Sequence, residues 1–133
     1  MAFHPLQHER PAVTRTHHTA PTFQLRLAMA RDVVIGPGKA DLLEAIEGTG
    51  SISAAGRALN MSYKKAWQLI DTMNGHFPTP LVITQSGGSD RGGARLTELG
   101  QTVLAHYRAL ERQLAPEHSS DARALLALLD DRA

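Results

Sequence analysis

The chain has 133 residues, a formal net charge of +1 and an apolar share of 42%, which suits one compact domain better than two. It contains no cysteine, which excludes a disulfide framework and thiolate zinc sites, and no run of about 18 apolar residues that could span a membrane. Because the sequence also lacks the pattern of a signal peptide, we expect a cytoplasmic protein whose partners are selected by local charge clusters.

Residues 1–22 are predicted to form a disordered arm, because they combine prolines and histidines with little apolar periodicity. The histidines are His4, His8, His17 and His18. They could bind a metal ion, but a flexible arm would have to be ordered to do so, and we therefore assign neither a metal nor a cofactor. A single folded domain is expected over 23–116, followed by a tail over 117–133 that could hold one short helix at 121–130.

Residues 23–35 predict a small β-hairpin before the first helix. Four apolar residues alternate with polar or small ones, which is the period of a half-buried strand. They are Phe23, Leu25, Leu27 and Met29. We expect a turn at Arg31-Asp32, a second strand over 33–35, and a chain break at Gly36-Pro37-Gly38.

Three helices are expected next, over 39–47, 54–59 and 62–75. Gly48 and Gly50 end the first, and either Ser51 or Ser53 caps the second. The second helix is rich in small residues, and Gly56 costs about 1 kcal/mol of helix propensity relative to alanine. We therefore expect Gly56 to lie where even a methyl group would clash with the next helix. Asn60 can adopt the left-handed conformation of a tight turn, and Ser62 can cap the third helix.

Two short helices joined in this way predict a helix-turn-helix, and the third helix would be its recognition helix. A helical wheel places a buried stripe on one face, consisting of Tyr63, Ala66, Ile70, Met73 and Phe77. Lys64, Lys65, Gln68 and Thr72 lie opposite, with Trp67 at the edge. Lysine can bind a phosphate or guanine, and glutamine can read adenine. An ordinary solvated surface is the alternative, but the position in the first turn of this helix favours DNA recognition.

A second hairpin is expected after the recognition helix, with strands over 81–85 and 94–96 around a glycine-rich loop. Helix-turn-helix followed by such a hairpin is the order of a winged helix, and basic wings contact the phosphate backbone or the minor groove. The loop lacks the lysine and hydroxyl of a nucleotide-binding P-loop and joins two strands, so we discount that alternative. The fold class is thus mainly α with small β.

A last long helix is predicted over 98–115, with Thr97 as its cap and Pro116 after its end. Its apolar residues follow a spacing close to that of a coiled coil, and we assign them to a homodimer interface. They are Leu99, Val103, Tyr107, Leu110 and Leu114. Packing on the N-terminal hairpin is an equal alternative for the first half of this helix but not for the second.

The predicted DNA-contacting residues come from the two helices of the motif and from the wing at about 86–94. They are Ser51, Ser53, Ser62, Tyr63, Lys64, Lys65, Trp67, Gln68, Thr72, Arg91 and Arg95. A winged helix that docks a protein partner is the alternative function. An enzyme is disfavoured, because cysteine is absent and His76 and His106 are isolated near helix ends.

Three segments together resemble the N-terminal DNA-binding domain of the ModE family of molybdate-responsive regulators. They are GSISAAGRALNMSYKKAWQLIDTMN, SGGSDRGGARLT and LTELGQTVLAHYRALE, within residues 23–115. The resemblance implies a homodimeric winged-helix regulator that binds a palindromic operator and controls molybdate uptake and molybdoenzyme genes. Full-length members sense molybdate in C-terminal oligoanion-binding domains. Since the chain ends at Ala133, we expect a stand-alone form for which molybdate sensing has no assigned domain.

Overall fold

The computed structural model describes residues 20–85 and 93–130 of the chain. Within these residues, two antiparallel hairpins alternate with five helices, which confirms the predicted fold class of a winged helix-turn-helix. The strands are β1 (Leu27–Met29), β2 (Asp32–Ile35), β3 (Val82–Gln85) and β4 (Gly93–Leu96). The helices are α1 (Pro37–Thr49), α2 (Ile52–Ala58), α3 (Tyr63–Gly75), α4 (Glu98–Leu114) and α5 (Ser120–Ala127).

The N-terminal hairpin is present, but its apolar face is not half-buried as predicted. Phe23, Leu27 and Met29 are 39%, 56% and 57% exposed, because nothing in the described part of the chain covers them. The turn lies one residue earlier than predicted. Ala30 takes the left-handed conformation with φ of 55°, and Asp32 already pairs with Met29 in the hairpin.

Helix α1 is the centre of the core and is four residues longer than the predicted 39–47 segment. It begins at Pro37, whose missing amide hydrogen costs nothing at the first helical position. It continues past Gly48 and ends at Thr49. Gly50 caps it with φ of 73° and donates its amide to the Ile46 carbonyl at 2.8 Å. The core residues of α1 that are 0% exposed are Ala40, Leu42, Leu43 and Ile46.

The remaining boundaries differ from the predictions by one to three residues. Helix α2 starts at Ile52 because the serine before it is the cap, and α5 covers Ser120–Ala127 and not 121–130. Helix α4 follows β4 after the single residue Thr97, whose hydroxyl accepts from the Gly100 amide at 3.0 Å. Residues 1–19 of the predicted arm over 1–22, and residues 86–92 of the predicted wing, lie outside the described residues. No described helix is both long and apolar enough to cross a membrane.

Candidate nucleic-acid interface

Close packing between α2 and α3 explains the small residues at the start of the motif. A methyl group on Gly56 would lie 3.2 Å from the Met61 carbonyl oxygen and 3.6 Å from the Ala66 methyl carbon. The Met61 amide donates to the Gly56 carbonyl at 2.9 Å, and Asn60 takes the left-handed conformation with φ of 62°. The prediction for Asn60 is therefore confirmed. The close approach predicted at Gly56 is present, but its tightest contact is with the turn at Met61, and the distance to α3 is an ordinary van der Waals contact.

Two serines fix the starts of the two helices of the motif. The Ser51 hydroxyl oxygen accepts from the Ala54 amide at 3.0 Å, and that of Ser62 accepts from the Lys65 amide at 3.0 Å. Ser53 caps nothing, and its exposed hydroxyl oxygen accepts from Arg57 at 3.0 Å. Ser51 is thus the cap of α2, which decides between the two alternatives that the sequence left open.

The buried face of α3 is shorter than the predicted stripe. Ala66, Ile70 and Met73 are at most 1% exposed, but Tyr63 is 58% exposed, so its assignment to the core was wrong. Tyr63 is the first residue of α3, where the ring extends past the contact with α2 and meets Trp67 edge-on, with 6.3 Å between ring centroids. Phe77, beyond the end of α3, is half-buried against the core as the stripe predicted.

The opposite face of α3 presents two cations and an amide to solvent. Lys64, Lys65 and Gln68 are all exposed, and the two lysines lie in the first turn. The free amide groups of a helix start carry partial positive charge, so the lysines add to a potential that already attracts anions. Thr72 is half-buried and donates its hydroxyl to the Gln68 carbonyl at 2.9 Å, which fixes its side chain and leaves the oxygen able to accept. This arrangement suits a phosphate backbone and the acceptor atoms of base edges.

The base of the wing is fixed to the segment between α1 and α2. Strands β3 and β4 pair in regular register from Val82–Leu96 to Gln85–Gly93, and the Ala94 amide donates to the Gly50 carbonyl at 2.9 Å. Arg95 is exposed on β4, whereas Arg91 lies outside the described residues.

Asn74, near the end of α3, is a positioning residue that the sequence reasoning missed. Its side-chain oxygen accepts from the Leu81 amide at 2.8 Å and from the Val82 amide at 3.3 Å. The recognition helix and the wing are therefore held in one orientation. An asparagine in the last turn of a helix followed by a strand was the available signal.

The residues assigned to dimerisation on α4 divide into two groups. Leu99 and Val103 are partly buried against the core of their own chain, and Tyr107 is only 4% exposed. The Tyr107 hydroxyl donates to the Leu25 carbonyl at 2.8 Å, so this side chain leaves little surface for a second chain. Leu110 and Leu114 are 47% and 43% exposed. Only the second half of the predicted interface is therefore free in the described structure.

A polar network beside Tyr107 holds α4 against α1. Arg108 contacts Asp41 at 2.8 Å, Glu44 at 2.7 Å and Glu111 at 2.9 Å. Burial acts to lower the pKa of Arg108, but hydrogen bonds to the three carboxylates outweigh it and raise that pKa above the ordinary value. Burial and the negative charge of Glu111 raise the pKa of Tyr107 to about 12. Both groups therefore hold their protons at neutral pH and serve as fixed hydrogen-bond donors.

Comparison with known proteins identifies the same kind of domain, a helix-turn-helix. Residues 39–101 match the lysR family of bacterial regulatory helix-turn-helix proteins. Over 95 residues, or 70% of the chain, the sequence is 45% identical to "Molybdenum transport protein ModE" of Azotobacter vinelandii. The chain carries a ModE-like helix-turn-helix domain.

Two further relatives agree with this assignment. The ModE-like domain is 36% identical over 103 residues to "DNA-binding transcriptional dual regulator ModE" of Escherichia coli K12, which covers 76% of the chain. It is 35% identical over 88 residues to "Transcriptional regulator ModE" of Haemophilus influenzae, which covers 66% of the chain. The matched regions cover only 35%, 39% and 34% of the three relatives, so the chain spans about a third of their length.

Proposed function

We propose that the chain is a sequence-specific DNA-binding transcriptional regulator of molybdate transport or molybdoenzyme genes. The observation that carries this proposal is the exposed surface of α3, where Lys64, Lys65 and Gln68 extend from the first two turns of a capped helix. The names of the relatives, which refer to ModE and to molybdenum transport, support the class of target genes.

In this proposal, the start of α3 enters the major groove of double-stranded DNA. Lys64 and Lys65 pair with phosphates or with guanine, and Gln68 forms its two hydrogen bonds with adenine. Tyr63 and Trp67 form an aromatic edge beside them, and Thr72 extends the same surface. Each good two-bond contact to a base contributes about 1–3 kcal/mol of discrimination against the wrong base.

The flanking contacts are proposed to position the domain without reading sequence. Ser53 has an exposed hydroxyl near the start of α2, and the caps Ser51 and Ser62 lie at the starts of α2 and α3. The wing would add Arg95 on β4 and Arg91 at its tip. Because these groups bind the sugar-phosphate backbone, they should make affinity depend strongly on salt.

We further propose that the regulator is a homodimer formed through the second half of α4. Leu110 and Leu114 expose apolar surface there, and Leu114 shares a cavity wall with Phe23. A twofold dimer would present two copies of α3 to a palindromic operator. Sedimentation equilibrium of the Leu110→Glu/Leu114→Glu variant should give a monomer, while Gln113→Glu, an exposed change on the same helix, should stay dimeric. If the wild type and the Gln113→Glu control are both monomeric, this dimer is contradicted.

DNA binding is tested by titrating the protein against a labelled promoter fragment from upstream of a molybdate-transport operon. A scrambled fragment of equal length and composition serves as the control, and each titration is repeated with molybdate. The proposal predicts at least a 1,000-fold preference for the promoter fragment, at the order of magnitude that specific regulators show. Equal affinity for the two fragments would favour the alternative of a winged helix that docks a protein. A molybdate-dependent shift would assign anion sensing to this short chain.

A further inference from the structure

A cavity of about 380 Å³ lies beside the helix-turn-helix, at the edge of the α3 surface described above. Its walls come from the segment before β1, from β2, from the start of α1, from the turn between α2 and α3, and from α3 itself. Three basic side chains from three different elements line it, and they are Arg26, Lys39 and Lys65. The clustering of three cations is not visible in the sequence, because 39 positions separate the outer two.

Carboxylates compensate these cations only in part, since the negative charge of Asp32 acts on Lys39. The Lys39 ammonium group donates to the Val33 carbonyl, a neutral acceptor. The salt bridges described within 20–85 and 93–130 join Asp or Glu to His76 and to Arg108. Asp41 also lines the cavity, but its carboxylate is bound by Arg108 at 2.8 Å. The lining is therefore positive on balance.

The pKa of the Lys39 ammonium group is lowered, mainly by burial and in smaller part by the nearby positive charge of Lys65. Burial lowers the pKa of its ammonium group, the carboxylate of Asp32 offsets part of that effect, and the charge of Lys65 lowers the pKa further. Lys39 and Lys65 thus repel each other across the cavity. A bound anion would remove this repulsion, because it places a negative charge between like charges in a partly desolvated space.

Gly36 lies where the cavity meets the start of α1. Gly36 precedes the first turn of α1 and has no side chain that could cap the free amide groups there. A methyl group on Gly36 would lie 3.2 Å from Cγ of Arg26 and 3.3 Å from Cγ1 of Val33, so glycine lets the Arg26 side chain lie directly over the helix start. The start of α1 and the Arg26 side chain therefore line the same part of the cavity.

We propose that this cavity binds a tetrahedral oxyanion, namely a phosphate group or a free ion of similar shape, through Arg26, Lys39 and Lys65. Two sources can supply that chemistry. One is a backbone phosphate of bound DNA, and this source rests on the proposed function. The other is a free oxyanion in solution. Either occupant would act on DNA binding, because Lys65 belongs to the first turn of α3 as well as to the cavity.

The first arm of the test is calorimetric titration of the whole chain with inorganic phosphate at constant ionic strength, with chloride as the control anion. A site for the free ion predicts saturable binding that Lys39→Met weakens by roughly tenfold or more, since each charged hydrogen bond contributes that much. The methionine keeps the length of the buried stem. Arg31→Gln, which removes an exposed charge from the hairpin turn away from the cavity, should leave phosphate binding unchanged.

The second arm measures how DNA affinity depends on salt in the same variants. A DNA phosphate in the cavity predicts that Lys39→Met reduces the slope of log K against log salt by about one, while Arg31→Gln leaves it unchanged. In that case phosphate alone should not bind. If Lys39→Met lowers the thermal stability of the fold, both titrations are repeated with Arg26→Gln, because Arg26 is exposed.

Saturable phosphate binding or a reduced salt slope would each support the site, and which of the two is seen identifies the occupant. The absence of saturable phosphate binding together with an unchanged salt slope overturns it. If the wild type binds no DNA, the proposed function fails separately, and the phosphate titration alone then decides the cavity.

Discussion

Arg108 on α4 donates from Nη2 to Oδ1 of Asp41 on α1 at 2.8 Å, across 67 positions of the chain. Asp41 is 8% exposed and is the buried charged residue of the described core. The same guanidinium also contacts Glu44 and Glu111, so one side chain joins the central helix to the long C-terminal helix. The direction of α4, and with it the position of any dimer surface, depends on this contact.

Replacing Arg108 with methionine should destabilise the fold by about 2–3 kcal/mol. The buried Asp41 carboxylate would lose its guanidinium partner, and partial exposure of Arg108 keeps the effect below that of a fully buried pair. Urea unfolding measures the change. Arg112→Met, at an exposed position one turn further along α4, should stay within about 0.5 kcal/mol of the wild type. Equal stability of the two variants would show that the Arg108 network contributes little.

Replacing Ser51 with alanine should cost about 1 kcal/mol, because the Ala54 amide at the start of α2 loses its acceptor. Ser53→Ala, only two residues away, should change the free energy of unfolding by less than about 0.5 kcal/mol. Thermal unfolding of both variants compares the two hydroxyl groups directly. A larger loss for Ser53 than for Ser51 would contradict the assignment of the cap.

Replacing Gly100 with alanine should destabilise the protein by about 3 kcal/mol or more. The added methyl group would overlap the Leu81 carbonyl oxygen and lie 3.1 Å from its carbon, and backbone on both sides prevents easy relief. Gly75→Ala is the matched control at the end of α3, where a methyl group meets no atom within 4 Å. Chemical unfolding should show the control to be neutral or slightly stabilised. A tolerated Gly100→Ala would mean that α4 can shift away from Leu81.

The tyrosine absorbance at 295 nm should include a component that titrates near pH 12, because burial and the charge of Glu111 raise the pKa of Tyr107 to about 12. Between the unfolded pKa of about 10 and this value, the folded state holds the proton more tightly than the unfolded state. Stability should therefore be intact below pH 10 and fall as the pH rises toward 12. Tyr107→Phe should remove both the component and that part of the alkaline loss. A component near pH 10 alone would contradict the buried hydroxyl.

Local patterns predicted the helix-turn-helix well because its determinants are close in sequence. Gly56, Asn60 and Ser62 each act on neighbours within a few positions. The structure confirms Asn60 and Ser62, and at Gly56 it shows a tight contact with the turn in place of the predicted clash with the next helix. The pairing of Arg108 with Asp41 had no such signal, because an ion pair between distant helices depends on how those helices pack. The same holds for the cluster of Arg26, Lys39 and Lys65.

Predictions from apolar periodicity were wrong where burial depends on another element that covers a strand or helix face. The alternation around Leu27 and Met29 gives a strand with an apolar side, but it cannot state that another element packs on that side. At Tyr63, the helical wheel gave the correct face of α3 but predicted a burial that is absent. Tyr63 is the first residue of α3 and lies beyond the reach of α2. Tyr107 shows the opposite case. Its spacing suited a contact with a partner chain, but in the structure this side chain packs on the N-terminal segment of its own chain.

The most direct test of the account compares DNA binding by the wild type and by Lys64→Ala/Lys65→Ala at two salt concentrations, with Arg31→Ala/Arg112→Ala as a control of equal charge. The account predicts that the lysine variant binds the promoter fragment at least about tenfold more weakly and loses about two units of salt slope. The control should bind like the wild type. Unchanged affinity of the lysine variant would contradict DNA recognition by α3 and favour a protein-docking winged helix.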